Sequence, residues 1–159
     1  MKNFEFLVVG SNGLLGSNIV KILKKKKITF LTVARKDSDF NLNLKNFKRL
    51  NKFFSKNKFK IVINCAAIID INYCEKKYNV ALIINCMLVK FLSQMSKKFD
   101  FKFVQISTDH VYEGKNLVFN SEKSKTFAIN KYAKSKILAE KYLKKLKKFL
   151  IVRTNFTGK

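Results

Sequence analysis

The chain has 159 residues, enough for one domain with a sizeable hydrophobic core. It carries 34 lysine and arginine residues against 10 acidic residues, a formal net charge of +24. Only Arg35, Arg49 and Arg153 are arginine, the side chain best suited to binding phosphate, and the lysines are spread along the chain. The charge therefore indicates solvated lysine-rich faces that favour anionic ligands, and a nucleic-acid partner is not predicted.

Targeting and metal-binding patterns are not found in the sequence. No uninterrupted apolar run approaches the roughly 18 residues that span a membrane, and the amino terminus lacks a signal-peptide layout. A cytoplasmic protein without a membrane contact is expected. The three cysteines (Cys65, Cys74 and Cys86) lack C-x-x-C spacing. They predict buried free thiols, with no disulfide framework and no metal site.

Short apolar runs alternate with helical patterns along the whole chain. The predicted strands are Phe4–Val9, Ile28–Val33, Ile61–Asn64, Phe101–Ser107 and Phe149–Arg153. The predicted helices are Leu14–Leu23, Lys45–Ser55, Tyr78–Lys97 and Asn130–Lys147. The segment 112–127 lacks periodicity and is predicted to be a loop near the site. The alternation predicts one α/β domain over 1–159, a doubly wound parallel sheet (Rossmann fold) of about five strands with helices on both faces.

Three of the five glycines fall in a seven-residue window between the first strand and the first helix: Gly10, Gly13 and Gly16. This context is the one that a dinucleotide-binding loop requires. Gly10 permits a tight turn, Gly13 lets the backbone approach a pyrophosphate, and Gly16 lets helix and strand pack closely. The intervening and following residues complete the predicted cofactor-binding loop: Asn12, Leu14 and Leu15.

The end of the second strand predicts which nicotinamide cofactor binds. A site that prefers NAD usually carries an acid there, on the ribose hydroxyls. This chain has Arg35 instead, which favours the 2′-phosphate of NADP. Asp37 follows two residues later and leaves NAD open.

Tyr132 and Lys136 are four residues apart in a predicted helix, so both side chains lie on one face. A neighbouring ammonium favours the phenolate, which predicts a lowered tyrosine pKa and a proton donor. Tyr73 and Lys77 share the spacing, so the spacing alone is not informative. Thr108 ends the fourth strand, at the sheet edge where ligands bind, and its hydroxyl is predicted to bond a substrate carbonyl. Tyr73 follows the third strand and is predicted to be a surface aromatic in a loop.

Several segments resemble known families in the same order along the chain. The G-x-x-G-x-x-G window resembles the extended short-chain dehydrogenase/reductases. The segment 107–112, Ser-Thr-Asp-His-Val-Tyr, resembles the Ser-Thr-Asp-x-Val-Phe signature of the dTDP-4-dehydrorhamnose reductase family. Residues 132–140 resemble that family's Tyr-Gly-x-Ser-Lys-Leu-x-Gly-Glu helix, and 153–158 resemble the segment that closes its fifth strand.

This resemblance implies an NADPH-dependent reductase of a nucleotide-sugar 4-ketone. Tyr132 would protonate the forming alkoxide, Lys136 would orient the nicotinamide ribose, and Thr108 would steady the carbonyl oxygen. The resemblance also implies cofactor contacts at further positions: Asn43, Leu44, Asn64, Ala66, Ala67 and Asn85. His110 stands where related 4,6-dehydratases carry a glutamate, which argues against a dehydratase and predicts a loop residue outside the chemistry.

Other readings stay open at this point. A nucleotide-sugar C4 epimerase uses the same tyrosine and lysine, and a non-catalytic NADP-binding regulatory subunit needs neither. Ile69 and Asn72 replace a threonine and an aspartate of relatives, so the sugar is not identified. Relatives continue into a substrate lobe, so a partial product, a remnant or a chain completed by another is expected. The 159 residues alone are then expected to bind NADP but to reduce sugar poorly. A homodimer through helices around 83–95 and 132–146 is also compatible with the pattern.

Overall fold

A single six-stranded parallel sheet forms the centre of the molecule. The computed structural model describes residues 1–112 and 119–155. The sheet order is β3-β2-β1-β4-β5-β6. The strands are β1 Lys2–Val9, β2 Phe30–Ala34, β3 Phe40–Asn41, β4 Asn57–Asn64, β5 Lys102–Thr108 and β6 Phe149–Thr154. The order reverses between β1 and β4, and this switch point is where a doubly wound sheet binds its ligand.

Within the part of the chain that the structure describes, six α-helices connect or follow the strands. They are α1 Leu14–Lys25, α2 Phe47–Phe54, α3 Ile71–Lys76, α4 Tyr78–Leu82, α5 Leu88–Phe99 and α6 Lys131–Leu143. A π-helical turn, Ile83–Met87, joins α4 to α5, and a 3₁₀ turn, Asp109–Val111, follows β5. The predicted α/β architecture is therefore confirmed. Positions 113–118 of the predicted loop and 156–158 of the closing segment lie outside the described residues.

Two short elements were not predicted. β3 has only two residues, too few to show an alternating pattern, and Phe40 there packs edge-on to Phe53 of α2 at 4.6 Å between ring centroids. The predicted loop after the third strand contains α3. Asp70 caps α3, its carboxylate accepting a hydrogen bond from the backbone N–H of Tyr73 at 2.8 Å. Tyr73 thus lies on a helix, not in a loop.

The hydrophobic core lies between one face of the sheet and helices α2, α5 and α6. Leu7, Val62 and Phe103 are paired across three neighbouring strands and are fully buried on that face. Phe54 of α2 stacks on Phe101 at 5.6 Å between ring centroids. The connection from β1 through α1 to β2 runs along the sheet in the direction opposite to the connections through α2, α5 and α6. Because such crossovers are right-handed, α1 lies on the other face. Helices therefore cover both faces, with most of the core on one of them.

The continuous helical stretch Tyr78–Phe99 has 22 residues and passes, by length and composition alone, as a candidate membrane span. Half of its most apolar window is buried inside the molecule, and Lys90 interrupts the apolar run. Leu88 and Leu92 of this stretch are fully buried in the core. We interpret it as a core helix, a class that passes the same test.

Candidate active site

The glycine loop turns sharply at the carboxyl end of β1. Gly10 has φ +80°, a conformation that favours glycine, and its N–H donates to the Val33 carbonyl at 2.8 Å. Gly13 is the N-cap of α1 and its N–H donates to the Gly10 carbonyl at 3.2 Å. Since no side chain caps α1, its first-turn amides and positive dipole are available to an anion. The loop is therefore built to receive a phosphate group.

The three glycines differ in how much space the structure leaves for a side chain. A Cβ on Gly10 would lie 2.6 Å from the Ala66 nitrogen, and a Cβ on Gly16 would collide with the Gly10 carbonyl oxygen. These two glycines are required by the protein's own packing. A Cβ on Gly13 would meet only the Gly10 oxygen, at an ordinary 3.5 Å. The protein itself leaves space above Gly13, as a pyrophosphate-binding position requires.

A cavity of about 490 Å³, termed here the loop cavity, opens beside the glycine loop. Eight predicted cofactor residues line it: Gly10, Asn12, Gly13, Arg35, Asn43, Leu44, Ala66 and Ala67. Sequence reasoning missed other lining residues: Ala34, Lys45, Cys65, Ile68, Tyr73, Val80 and Ile84. Tyr73 comes from α3, Val80 from α4 and Ile84 from the π-helical turn. Local periodicity does not predict that these elements lie next to the glycine loop. The cavity lining includes the backbone of the glycine loop and the apolar side chains of Ile68, Val80 and Ile84.

A second cavity of about 390 Å³, termed the tyrosine cavity, lies at the carboxyl end of β5. It contains the predicted catalytic residues Thr108, Tyr132 and Lys136, together with Leu14 and Leu15. Both cavities are lined by three common residues: Gly13, Cys65 and Ala67. The two cavities thus form one elongated groove across the switch point of the sheet, which fits a dinucleotide whose two halves lie on either side of the glycine loop.

Tyr132 lies in the first turn of α6. Asn130 caps the helix by accepting a hydrogen bond from the Ala133 N–H at 2.7 Å, and this cap fixes where the tyrosine emerges. The side chain is buried, with 8% of the residue exposed. Burial raises the pKa of Tyr132, the Thr108 side chain opposes this by hydrogen bonding, and Cys74 and Asp109 add to it. The phenol therefore keeps its proton at neutral pH.

Lys136 is buried one turn further along α6, and its Nζ donates to the Ile106 carbonyl at 2.7 Å. Burial lowers the pKa of Lys136 to about 8, while Glu140 and Cys65 act in the opposite direction. The prediction that Lys136 lowers the pKa of Tyr132 is wrong for this structure. The ammonium is directed to a β5 carbonyl, and desolvation of the phenol is the dominant effect.

Asn64 and Asn85, two predicted cofactor contacts, lie beneath the groove. Asn64 Nδ2 donates to Gln105 Oε1 at 2.8 Å, and the residue is fully buried. Asn85, in the π-helical turn, accepts from the Ile68 N–H at 2.8 Å and donates to the Ile68 carbonyl at 2.9 Å. It also donates to Ser135 Oγ at 3.1 Å. Both asparagines therefore position the groove wall, and their contact with a cofactor stays a prediction.

A buried ion pair behind the site has no counterpart among the predicted functional residues. Glu140 of α6 and Arg153 of β6 form a bidentate pair, with Nη2 to Oε2 at 2.6 Å and Nε to Oε1 at 3.1 Å. Ser107 Oγ also donates to Glu140 Oε1 at 2.6 Å. Glu140 hydrogen bonding raises the pKa of Arg153, so the guanidinium stays charged. The pair connects α6 to the ends of β5 and β6, next to Thr108. In the sequence, the only indication of these two residues was that each lies in a segment that resembles the reductase family.

His110, predicted to lie outside the chemistry, is placed in the tyrosine cavity by the 3₁₀ turn. Cys74 and Cys86 are buried free thiols, as predicted, whereas Cys65 is half-buried at the junction of the two cavities. Burial raises the pKa of Cys65 to about 12, so the thiol is un-ionised at neutral pH. Cys65 therefore forms part of the groove wall.

Comparisons with known proteins agree with this geometry. The family model described as the RmlD substrate binding domain matches residues 4–157. Among curated relatives, the probable low-salt glycan biosynthesis reductase Agl14 of Haloferax volcanii is 27% identical over 139 residues, which cover 84% of this chain and 46% of that protein. The chain spans about half the length of the curated relatives it matches.

Two solved structures show the same fold at appreciable identity. A dTDP-4-dehydrorhamnose reductase from Clostridium acetobutylicum superimposes with a TM-score of 0.86 at 34% identity, covering 95% of this chain and 53% of that one. A dTDP-4-dehydrorhamnose reductase from Bacillus anthracis, solved in complex with NADP, has a TM-score of 0.86 at 28% identity, covering 97% and 54%. The similarity extends over nearly all of this chain.

Proposed function

Because the chain belongs to the RmlD substrate binding domain family, we propose that it carries the cofactor half and the proton-transfer residues of a reductase that acts on a nucleotide-sugar 4-ketone. One observation carries this proposal. The groove joins a glycine loop suited to a pyrophosphate, at Gly13, to a cavity containing Thr108, Tyr132 and Lys136. Relatives named dTDP-4-dehydrorhamnose reductase support dTDP-4-dehydrorhamnose as the substrate to test first.

The chain's own residues would divide the work as follows. NADPH, when bound, supplies the hydride. Thr108 donates a hydrogen bond to the substrate carbonyl, and Tyr132 transfers its phenolic proton to the same oxygen as it becomes an alkoxide. The raised pKa of Tyr132 supports this direction, because the phenol is fully protonated before reaction. Such general acid assistance contributes roughly 10²- to 10⁴-fold to the rate.

Lys136 would hold the nicotinamide ribose. Its ammonium already reaches the Ile106 carbonyl, at the end of the strand that carries Thr108. With a pKa of about 8 the group is mainly charged at neutral pH, so it retains donors for ribose hydroxyls. This arrangement fixes the cofactor next to Tyr132 and Thr108, and positioning of this kind supplies much of the rate enhancement.

NADP is the proposed cofactor in preference to NAD. Arg35 lines the loop cavity beside Asn43 and Leu44, where the adenosine half would lie. Asp37, the residue that left NAD open, lines a different cavity together with Ser11 and Asp39. An arginine without an opposing carboxylate in the same cavity favours a 2′-phosphate. We expect Arg35→Ser to weaken NADPH binding about tenfold or more while changing NADH binding little.

The central test is a single-turnover measurement with stoichiometric protein, NADPH and dTDP-4-dehydrorhamnose, which detects even slow hydride transfer. We expect Tyr132→Phe to lower the rate about 10²- to 10⁴-fold, because it removes the phenolic hydroxyl and with it the transferable proton. NADPH affinity, followed by cofactor fluorescence, should be preserved in the same variant. An unchanged rate in Tyr132→Phe would contradict the proposed proton donor, and absence of NADPH binding would contradict the proposed function as a whole.

A further inference from the structure

His110 lies in the tyrosine cavity, in the 3₁₀ turn immediately after Thr108. Its backbone N–H donates to Thr108 Oγ1 at 3.2 Å, which fixes the start of the turn. Its ring meets the ring of Tyr132 edge-on, with 6.1 Å between centroids and an interplanar angle of 85°. The imidazole therefore has a defined position beside the two groups that would hold the substrate carbonyl.

The two ring nitrogens have different surroundings. Nδ1 is buried, and no hydrogen-bond partner for it lies among residues 1–112 and 119–155. Nε2 is 4.0 Å from Asp109 Oδ1, too far for a hydrogen bond, and the side chain is 36% exposed. A buried N–H without an acceptor is rarer and more costly than a bare lone pair. In the neutral ring the proton therefore belongs on Nε2, where a ligand can accept it.

We propose that His110 is a specificity-determining residue whose Nε2–H donates a hydrogen bond to a sugar oxygen on the ring carbon next to the ketone. This inference rests on the proposed function. Tyr132 and Thr108 address the carbonyl oxygen itself, and the adjacent ring lines the same cavity. A donor at this place selects sugars that keep an oxygen at the neighbouring carbon over their deoxygenated counterparts, because a missing acceptor leaves a buried donor unpaired.

The tautomer can be read directly, because His110 is the only histidine in the chain. Nitrogen-15 NMR of histidine-labelled protein should show the Nε2–H tautomer of the neutral imidazole. Addition of NADP⁺ and then dTDP-rhamnose, the reduction product, should shift the Nε2 signal at the second step. An Nδ1–H tautomer would overturn the inference, as would a signal that responds to NADP⁺ but not to the sugar nucleotide.

Two variants separate a hydrogen bond from simple packing. With NADP⁺ present, His110→Phe should weaken dTDP-rhamnose binding about tenfold, whereas His110→Gln, which offers an amide donor, should recover most of the loss. NADP⁺ affinity and the circular dichroism spectrum report that both variants fold. Equal affinity of His110→Phe and the unsubstituted chain overturns this inference alone. Failure of the unsubstituted chain to bind the sugar nucleotide overturns this inference, whereas failure to bind NADP⁺ overturns the proposed function and the inference together.

Discussion

At the scale of single residues, the glycine loop differs from position to position in whether a Cβ atom can be accommodated. Gly10 and Gly16 are constrained by backbone atoms, whereas Gly13 has room for an ordinary contact. Two glycines of this sequence window thus serve the protein's own packing, and the third has the free space that the proposed phosphate contact needs. The difference predicts opposite phenotypes for the same substitution at two positions of the loop.

We expect Gly16→Ala to lower the free energy of unfolding by about 3 kcal/mol, because the new Cβ collides with the Gly10 carbonyl and overpacks the loop. Gly13→Ala should cost less than about 1 kcal/mol, since its Cβ has space, yet should weaken NADPH binding at least tenfold by blocking phosphate approach. Urea denaturation and cofactor titration measure the two effects. Equal stability losses in the two variants would contradict this assignment.

Lys136 gives a pH-dependent prediction at the same scale. Its pKa falls from 10.5 to about 8 on folding, because burial disfavours the charged form. Between about pH 8 and pH 10.5 the unfolded chain binds the proton that the folded chain has lost, so stability rises with pH. The free energy of unfolding should increase by about 3 kcal/mol over this range relative to Lys136→Met.

The comparison with Lys136→Met is necessary because other lysines and the tyrosines titrate in the same range. Glu140 and Cys65 face the ammonium, and Ile106 accepts its hydrogen bond. Those groups are present in both proteins, so the difference isolates Lys136. If the free energies of unfolding of the two proteins changed in parallel across this range, the pKa of Lys136 would not be lowered on folding.

At the scale of elements, α6 does more than present Tyr132 and Lys136. Its next turn places Glu140 in the buried pair with Arg153 of β6, and Ser107 at the end of β5 joins them. Arg153 Nη1 also donates to the Tyr112 hydroxyl at 2.7 Å, which links the 3₁₀ turn region to the same cluster. The carboxyl ends of β5 and β6 are thereby held in register with α6.

Removing one partner of this pair should be costly because the other remains buried. We expect Glu140→Gln or Arg153→Met to lower the free energy of unfolding by about 3–5 kcal/mol each. The double variant should lose clearly less than the sum. The exposed pair of Lys148 with Asp100 provides the control, because breaking it by Asp100→Asn should cost less than about 1 kcal/mol. Additive losses in the buried pair would contradict the direct coupling.

Prediction of the elements succeeded where patterns were long. Four buried strands and the helix around Tyr78–Phe99 follow from apolar runs and helical periodicity. β3 was missed because its two residues contain one period of the strand pattern, and α3 because its six residues contain less than two helical turns. α6 ends at Leu143, four residues before its predicted end, because the lysine-rich sequence that follows provides no stop signal.

At the scale of the whole molecule, charge is the dominant peculiarity. A net charge of +24 on 159 residues produces self-repulsion in the compact state that few ion pairs offset. The described ion pairs other than the Glu140–Arg153 pair are largely exposed and contribute little. The same positive field should draw anionic nucleotides to the groove without specifying which one binds.

We therefore expect the thermal midpoint to rise when KCl is increased from about 20 mM to about 200 mM, because screening weakens repulsion between like charges. Each kcal/mol gained corresponds to about 3 °C for a domain of this size. Sucrose at equal osmolality is the control, since it adds no ions. A falling midpoint would show that attractive pairs outweigh the repulsion.

The sequence by itself determined the order of strands and helices, the glycine loop and the chain positions of Thr108, Tyr132 and Lys136. These features depend on local periodicity and on residue types at short spacing, which are visible in one dimension. Only the tertiary structure decided that Lys136 bonds the Ile106 carbonyl, that Asn85 lies under the groove, and that His110 faces it. Those partners are brought together by the sheet from positions 17 to 30 residues apart, or are oriented by the turn after β5. Their burial, which sets each pKa, depends on all the elements packed around them.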